Sequence, residues 1–151
     1  MKIATYNINN VRKRLPNLLA WLKSAKPDIV CLQELKSTDA NFPIHAIEKA
    51  GYRAVWQGEK TWNGVAILSR DGEPIVTRRA LPGDSDDWQS RYLEAAVNGM
   101  LIGCVYLPNG NPLRCTRTSG GDSRIFVFAH DGCMGASHFR HVGCNPFGSA
   151  I

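Results

Sequence analysis

The sequence predicts an α/β sandwich with a mixed sheet, and two observations lead to this class. Two strand–helix units open the chain, each a β-prone segment followed by apolar residues at helical spacing. A series of strand-like segments without helices, a meander, comes after them. Because strand–helix units favour parallel pairing and a meander is antiparallel, we expect the sheet to be mixed.

The first unit begins with the alternating, β-prone residues 2–8, which we predict to form a strand that ends in the polar turn Asn9–Asn10. A helix follows, with Pro16 in its first turn and a stop at Lys26–Pro27. Its apolar residues recur at helical spacing and are Leu15, Leu18, Leu19, Leu22 and Ala25.

The second unit begins with residues 28–33, a continuous apolar run that is typical of a strand buried on both faces. Residues 43–50 fit a short helix with Ile44 and Ile47 facing inward and Gly51 as its C-terminal cap.

The remaining segments predict a meander. The last two strands flank Asn98-Gly99, the strongest short hairpin signal, which favours a two-residue type I′ turn. The predicted strands are residues 52–57, 64–69, 75–79, 91–97 and 100–106.

Composition limits the class of protein without identifying its function. The chain has 151 residues, 44% of them apolar and 21% charged, which is typical of one globular domain or a fragment of a larger one. No run of about 18 apolar residues is present, and the N-terminus lacks the apolar region of a secretory signal. Five cysteines at irregular spacing favour free thiols and a cytoplasmic location. The net charge of +5 is compatible with a polyanionic partner.

Polar residues stand at the ends of predicted strands. Asn7 closes the first strand and Glu34 directly follows the buried second one. If these strands are neighbours, an amide and a carboxylate meet at one sheet edge, and such oxygen ligands suit Mg²⁺ or Mn²⁺. The alternative is a solvated strand-end charge at Glu34 and an ordinary turn residue at Asn7. Tyr106 also ends its strand, where a tyrosine is commonly an amphipathic rim residue.

Residues 1–112 resemble the exodeoxyribonuclease III family, the AP endonuclease branch of the endonuclease/exonuclease/phosphatase superfamily. The resemblance implies the N-terminal half of a four-layer α/β/β/α sandwich like that of deoxyribonuclease I. The matching segments occur in family order and are ATYNIN (4–9), PDIVCLQELK (27–36), FP (42–43), GYRAVWQGEKTWNGVAILSR (51–70), PGD (82–84), RYLEA (91–95) and VYLPNGN (105–111).

The resemblance also implies an activity. The family hydrolyses phosphodiester bonds of double-stranded DNA as a repair nuclease, releasing nucleotides from 3′ ends and cutting at abasic sites, with Mg²⁺ or Mn²⁺ as cofactor. By this similarity Glu34 is the metal-binding carboxylate, Asn7 its supporting ligand or orienter, and Tyr106 the catalytic donor to the scissile phosphate. A monomer without membrane contact is implied as well.

Three further residues are similar to DNA-contacting positions of the family. Arg91 stands where the family has an arginine near the DNA, and Trp62 and Asn63 lie in a loop suited to the DNA backbone. Arginine and polar side chains of this kind contact phosphates and make DNA binding depend strongly on salt.

The resemblance stops after Pro112, so we expect a truncated domain in residues 1–112 and a non-homologous, irregular tail in 113–151. The family's later half carries a Gly-Asp-x-Asn segment, whose aspartate activates the attacking water, and a terminal Ser-Asp-His. Gly121-Asp122-Ser123-Arg124 is only an accidental match to the first. We therefore expect this chain to be inactive, a non-catalytic fragment or a DNA- or metal-binding remnant. Half a two-sheet sandwich lacks the sheet that should cover the apolar face of these strands, so we also expect alternate residues of 28–33 and 64–69 to be exposed in this chain.

The tail has two interpretations. All the Lys, Glu, Trp and Tyr residues of the chain precede residue 113, which indicates translation in a wrong frame beyond about Pro112. The other interpretation is a genuine extension with a metal site, although the spacing of its candidate ligands matches no common zinc pattern. Those candidates are Cys133, His138, His141 and Cys144.

The wrong-frame interpretation makes a prediction about the coding DNA. Shifting the reading frame by one base after the Pro112 codon should produce a family-like continuation that contains Gly-Asp-x-Asn. Sequencing the DNA across codons 108–151 tests this, and the interpretation is wrong if neither alternative frame contains that segment.

Overall fold

The computed structural model of the chain describes residues 1–80 and 88–106, and the backbone of residues 127–131. These residues form two four-stranded sheets, two α-helices and a 3₁₀ turn at Asp39–Asn41. The helices are α1 (Leu15–Ala25) and α2 (Ile44–Lys49). The strands are β1 (Ile3–Asn7), β2 (Ile29–Gln33), β3 (Arg53–Gln57), β4 (Val65–Ser69), β5 (Ile75–Arg78), β6 (Tyr92–Val97), β7 (Met100–Val105) and β8 (Val127–Asp131).

The first sheet has the strand order β1-β2-β4-β3 and is mixed, as the sequence predicts. Strand β1 pairs in parallel with β2, and the other neighbours are antiparallel. In the parallel register Asn7 lies opposite Gln33, so the ends of β1 and β2 coincide. This alignment brings the residues that follow both strands to one edge of the sheet.

The second sheet has the order β5-β6-β7-β8 and is antiparallel throughout. Asn98 and Gly99 connect β6 to β7 with φ angles of +50° and +80°. Two consecutive left-handed residues are the requirement of a type I′ turn, which confirms the predicted hairpin.

The expectation of an irregular tail is corrected over five residues. Val127–Asp131 forms β8 and pairs along β7 from Met100 to Cys104. Without this partner that edge of β7 would leave its backbone N–H and C=O groups unpaired, and the β-prone segment from the tail satisfies them. The other tail residues, including the four candidate metal ligands, lie outside the described residues.

Helix α1 begins and ends as its residues predict. Proline stands in its first turn, and Lys26 takes a left-handed conformation at φ +44° while its N–H donates to the carbonyl of Leu22. Helix α2 is followed by Gly51 at φ +87°, a conformation that favours glycine.

Two apolar cores hold the layers together. The helix-side core lies between the helices and the first sheet and contains Tyr6, Ile8, Val11, Leu18, Leu22, Val30, Leu32, Leu35, Phe42, Ile47, Tyr52, Ala66 and Leu68. The inter-sheet core lies between the sheets and contains Ile29, Cys31, Val65, Ile67, Leu93, Ala95, Val97, Ile102, Cys104 and Tyr106.

The inter-sheet core corrects one expectation. Every residue of β2 and β4 is buried, whereas the sequence predicted alternate residues of these strands to be exposed. The reason is that the meander forms a second sheet with its own apolar face, and this face covers β2 and β4. No helix in the described part of the chain is long and apolar enough to cross a membrane.

Truncating a side chain of the inter-sheet core should destabilise the protein. Leu93 is fully buried, so Leu93→Ala removes apolar contacts and leaves a cavity that costs about 2–5 kcal/mol of unfolding free energy. The matched control is Ile75→Ala in β5, where the isoleucine is 67% exposed and we expect a change within about 0.5 kcal/mol. Urea unfolding measures both, and equal effects would contradict the described packing of the sheets.

Candidate active site

Three strands end at the same place and bring three predicted site residues together. Asn7 is the last residue of β1, Glu34 directly follows β2, and Tyr106 directly follows β7 of the other sheet. Nδ2 of Asn7 and Oη of Tyr106 both donate to Oε1 of Glu34, each at 2.9 Å. The sequence anticipated the meeting of Asn7 and Glu34, and the packing of the two sheets adds Tyr106.

The backbone at Glu34 explains how its carboxylate reaches these partners. Leu32 packs in the helix-side core and Gln33 hydrogen-bonds across the inter-sheet layer, so strand alternation would return Glu34 to the helix side. Glu34 instead has φ +53°, a left-handed conformation that costs a residue with a Cβ about 1–3 kcal/mol. Strain of this kind persists where the surrounding contacts fix it, and here it directs the carboxylate to Asn7 and Tyr106.

Lys36 completes the network and was missed from the sequence. Its Nζ forms an ion pair with Oε2 of Glu34 at 2.9 Å and donates to Oδ1 of Asn9 at 2.7 Å. Oδ1 of Asn7 accepts from the backbone N–H of Asn9 at 3.1 Å. The position of Lys36 two residues after Glu34 gave no signal, because its side chain returns only through its own left-handed φ of +46°.

Burial and hydrogen bonding have opposite effects on Glu34. Burial, the largest single influence, raises the pKa of Glu34. Hydrogen bonds donated by Asn7, Lys36 and Tyr106, together with the Lys36 charge, outweigh it and hold the pKa below its ordinary value. The carboxylate is therefore ionised at neutral pH.

The phenol of Tyr106 is held in its protonated form. Burial, followed by the hydrogen bond to Glu34 and its negative charge, raises the pKa of Tyr106 to about 12, and the Arg91 charge acts in the opposite direction. Tyr106 is therefore a hydrogen-bond donor at every pH near neutrality. Such a donor suits a carboxylate or a phosphate oxygen.

The network fits one part of a divalent-metal site. An ionised, half-buried carboxylate is a normal Mg²⁺ or Mn²⁺ ligand, since these ions often use one or two carboxylates together with water and phosphate oxygens. Asn7 directs its Nδ2 toward Glu34 and its oxygen toward Asn9, which is the geometry of an orienter. No group of three or more His, Cys, Asp and Glu side chains gathers in residues 1–80 and 88–106.

A basic groove adjoins the carboxylate. It is lined by amide side chains and by cationic ones, which are Asn9, Asn10, Lys13, Arg14 and Lys36. Asn9 and Asn10 have φ angles of +43° and +83° and turn the chain from β1 toward α1. The sequence NNVRKR contained a usable signal, because its three cations follow within one short loop of Asn7, the site residue that ends β1.

The three residues expected near DNA lie in different environments. Trp62 is 70% exposed, whereas Asn63 is buried and its Nδ2 donates to Glu59 at 2.9 Å. Arg91 precedes β6, and its backbone carbonyl accepts from the N–H of Tyr106 at 2.8 Å. Nε of Arg91 is buried without a hydrogen-bond partner among the described residues. A DNA contact of any of the three stays a prediction.

The chain is similar to proteins of known function. The model of the Endonuclease/Exonuclease/phosphatase family matches residues 4–143, a range that crosses the boundary predicted at Pro112. Exodeoxyribonuclease III of Haemophilus influenzae is 40% identical over 114 residues, which are 73% of this chain and 42% of that protein.

Solved structures agree in fold. The 3′-5′ exonuclease NExo from Neisseria meningitidis has a TM-score of 0.69 and 44% identity over 73% of this chain and 43% of its own. A structure of the 3′ phosphatase NExo from Neisseria bound to a product DNA hairpin has a TM-score of 0.67 and 43% identity, covering 70% of this chain and 41% of that one. The chain thus spans less than half the length of these relatives.

Removing the Tyr106 hydroxyl should change the titration of Glu34. Tyr106→Phe deletes a hydrogen bond to the ionised carboxylate, so the pKa of Glu34 should rise. Because the pKa of Glu34 is lower in the folded state than in the unfolded state, ionised Glu34 stabilises the fold at pH values above its unfolded-state pKa. This stabilisation is lost as the pH falls through the folded-state pKa, so the variant, in which the two values are closer, should lose less stability on acidification.

The titration of the Glu34 side-chain carboxyl carbon by NMR measures this change. The matched control is Tyr92→Phe, because Tyr92 donates to Glu94 at 2.8 Å and has no hydrogen bond to Glu34. If both variants shift the Glu34 titration equally, the described contact with Tyr106 is absent in solution.

Proposed function

Because the chain belongs to the endonuclease/exonuclease/phosphatase family, we propose that its site takes part in metal-dependent hydrolysis of phosphodiester bonds in double-stranded DNA. The activity is that of an exodeoxyribonuclease III-type repair nuclease, with 3′-5′ exonuclease and abasic-site endonuclease action. The hydrogen bonds from Asn7 and Tyr106 to one oxygen of Glu34 carry this proposal. They supply an oriented, ionised carboxylate and a protonated phenol at a single point.

Each residue of the site has a distinct part in this reaction. Asn7 fixes the orientation of Glu34, and Glu34 would hold Mg²⁺ or Mn²⁺. A divalent ion bound there supplies charge neutralisation for the phosphate and the leaving oxygen. With a substrate bound, Tyr106 would turn its one O–H proton from Glu34 to a non-bridging phosphate oxygen, and it can donate there because its phenol does not ionise near neutral pH.

The basic groove supplies binding rather than chemistry. Lys13 and Arg14 line it together with Lys36, and Lys36 is the cation that joins the groove to the carboxylate through its ion pair with Glu34. Cations of this kind neutralise phosphates whatever the base sequence and make binding weaken with salt. Duplex DNA with 3′ ends or abasic sites is the substrate class that the similarity to exodeoxyribonuclease III supports. A monomer in the cytoplasm is part of the proposal, and the free thiols Cys31 and Cys104 are consistent with that location.

A specific observation favours a second candidate, a non-catalytic DNA- or metal-binding protein. The hydrogen-bonding network of Glu34 contains Asn7, Asn9, Lys36 and Tyr106, with no second carboxylate and no histidine among the described residues. A phosphodiester hydrolase needs a base to deprotonate the attacking water, and losing a general base typically costs about 10²–10⁴-fold in rate. We therefore expect the 151-residue chain to bind duplex DNA but to cleave it at a much lower rate than a nuclease that has such a base.

Cleavage of an abasic-site duplex distinguishes the two candidates. With Mn²⁺ or Mg²⁺, the 151-residue chain should cut the duplex at a rate at least about 10³-fold below that of a full-length relative. Glu34→Gln should abolish this residual cleavage and leave duplex binding intact. The matched control is Glu94→Gln, which removes a carboxylate bonded to Thr77 and Tyr92 outside the Glu34 network.

Mass spectrometry of the wild type and the two variants first verifies that each sample is the intended 151-residue protein, so that the results can be assigned to one of the two candidates. Cleavage that is lost in Glu34→Gln and kept in Glu94→Gln supports the nuclease. Duplex binding without cleavage in any of the three proteins supports the non-catalytic candidate. Cleavage at the rate of the full-length relative would contradict the expected loss of a base.

A further inference from the structure

A buried amide lies directly behind the carboxylate. Gln33 is fully buried in the layer between the two sheets, and it precedes Glu34 in the chain. Its Nε2 lies within hydrogen-bond distance of three acceptors, Oγ1 of Thr5 at 3.0 Å, Sγ of Cys104 at 3.4 Å and, on its own strand, the carbonyl of Cys31 at 3.3 Å. Its two N–H groups are shared among these three acceptors. The amide thus contacts three strands at once.

These contacts join the strands that carry the site. Thr5 stands two residues before Asn7 in β1, and Cys104 stands two residues before Tyr106 in β7. Residues two apart on a strand share a face, so each contact of Gln33 lies one step behind a member of the Glu34 network on the same face. Sγ of Cys104 also approaches the carbonyl of Leu32 at 3.5 Å, which strengthens the link from β7 to β2.

The amide is unfavourable as a packing residue. Its Oε1 is buried and has no hydrogen-bond partner among the described residues, and the neighbouring inter-sheet core is apolar. An unsatisfied buried carbonyl oxygen costs free energy that an apolar side chain of similar volume would avoid. Stability alone therefore does not account for a glutamine at this position.

We infer that Gln33 is a positioning residue, which sets the relative placement of β1, β2 and β7 so that Asn7, Glu34 and Tyr106 converge. It acts through Thr5 and Cys104 and does not touch a metal or a phosphate itself. The inference rests on the proposed function, since metal binding by Glu34 is the reason why this convergence matters. The convergence itself is present in the metal-free protein and can be measured there. The similarity to known nucleases implies roles for Asn7, Glu34 and Tyr106. Gln33 and its two partners form a second group of polar contacts directly behind these three residues.

The test replaces Gln33 by an apolar residue of similar size in the full 151-residue chain. Gln33→Met keeps the volume and removes the amide, so we expect the NMR resonances of the Asn7 side-chain amide, identified by their loss in Asn7→Ala, to shift from their wild-type positions. Mn²⁺ affinity should fall about tenfold or more, as for other groups that orient a metal ligand.

The matched control is Ser69→Ala in β4. Ser69 is also fully buried and hydrogen-bonded, to the carbonyl of Asp71 at 2.9 Å, but it lies at the opposite end of the first sheet. We expect Ser69→Ala to lower the urea midpoint without shifting the Asn7 amide or weakening Mn²⁺ binding. A role of Gln33 in stability alone predicts the reverse, a lower midpoint for Gln33→Met with an unchanged Mn²⁺ affinity, and that result overturns the inference.

A second variant covers the case in which Gln33→Met does not fold. Thr5→Val is nearly isosteric and β-prone, and it removes only the acceptor of the 3.0 Å hydrogen bond. It should shift the Asn7 amide in the same way, and an unchanged amide overturns the inference. Absence of Mn²⁺ binding in the wild type would refute the proposed metal site, whereas the NMR comparison decides the role of Gln33 independently.

Discussion

The packing of the first sheet against the second is the interaction on which the site depends. The Tyr106 hydroxyl belongs to the second sheet and the Glu34 carboxylate to the first, yet they lie 2.9 Å apart. Large apolar residues from β2, β4, β6 and β7 fill the layer between the sheets and fix their separation. Because protein cores are close-packed, this separation has little freedom, and a hydrogen bond across the layer keeps its length. The apolar core sets the distance between the sheets, and the left-handed backbone of Glu34 and its ion pair with Lys36 then determine where the carboxylate lies within that space.

Much of the fold could be predicted from the residues. Apolar spacing and Pro16 specified α1, the continuous run before Glu34 specified a strand buried on both faces, and Asn98-Gly99 specified the turn of the hairpin. These features are local, so a single sequence contains their physical cause. The mutual covering of the two sheets is not local, and for this reason the expected exposure of the apolar face of β2 and β4 was wrong.

The site also combines features that could be predicted from the sequence with features that could not. Asn7 and Glu34 could be placed together because parallel strands of matching length end at one edge, and this depends only on strand pairing. Lys36 could not be placed, because left-handed backbone at Glu34 and at Lys36 itself determines where these two side chains point. Glutamate and lysine rarely adopt that conformation, so their residue types do not indicate it, whereas asparagine, present at Asn9 and Asn10, is the more common non-glycine residue there. Gln33 was predicted to be buried as part of its strand, but its contacts with two other strands appear only in three dimensions.

The distance along the chain between Glu34 and its partners has a consequence for folding kinetics. The hairpin of β6 and β7 closes through a two-residue turn, whereas 27 residues separate Asn7 from Glu34 and 72 separate Glu34 from Tyr106. Loop closure costs more entropy as the separation grows, so contacts close in sequence tend to form earlier than distant ones. We expect the hairpin to form early and the docking of the sheets to come late. Glu34 would then gain its hydrogen bond from Tyr106 in one of the last steps of folding. A chain that stops before that step would have both sheets and the contacts of Glu34 with Asn7 and Lys36, but no phenol donor.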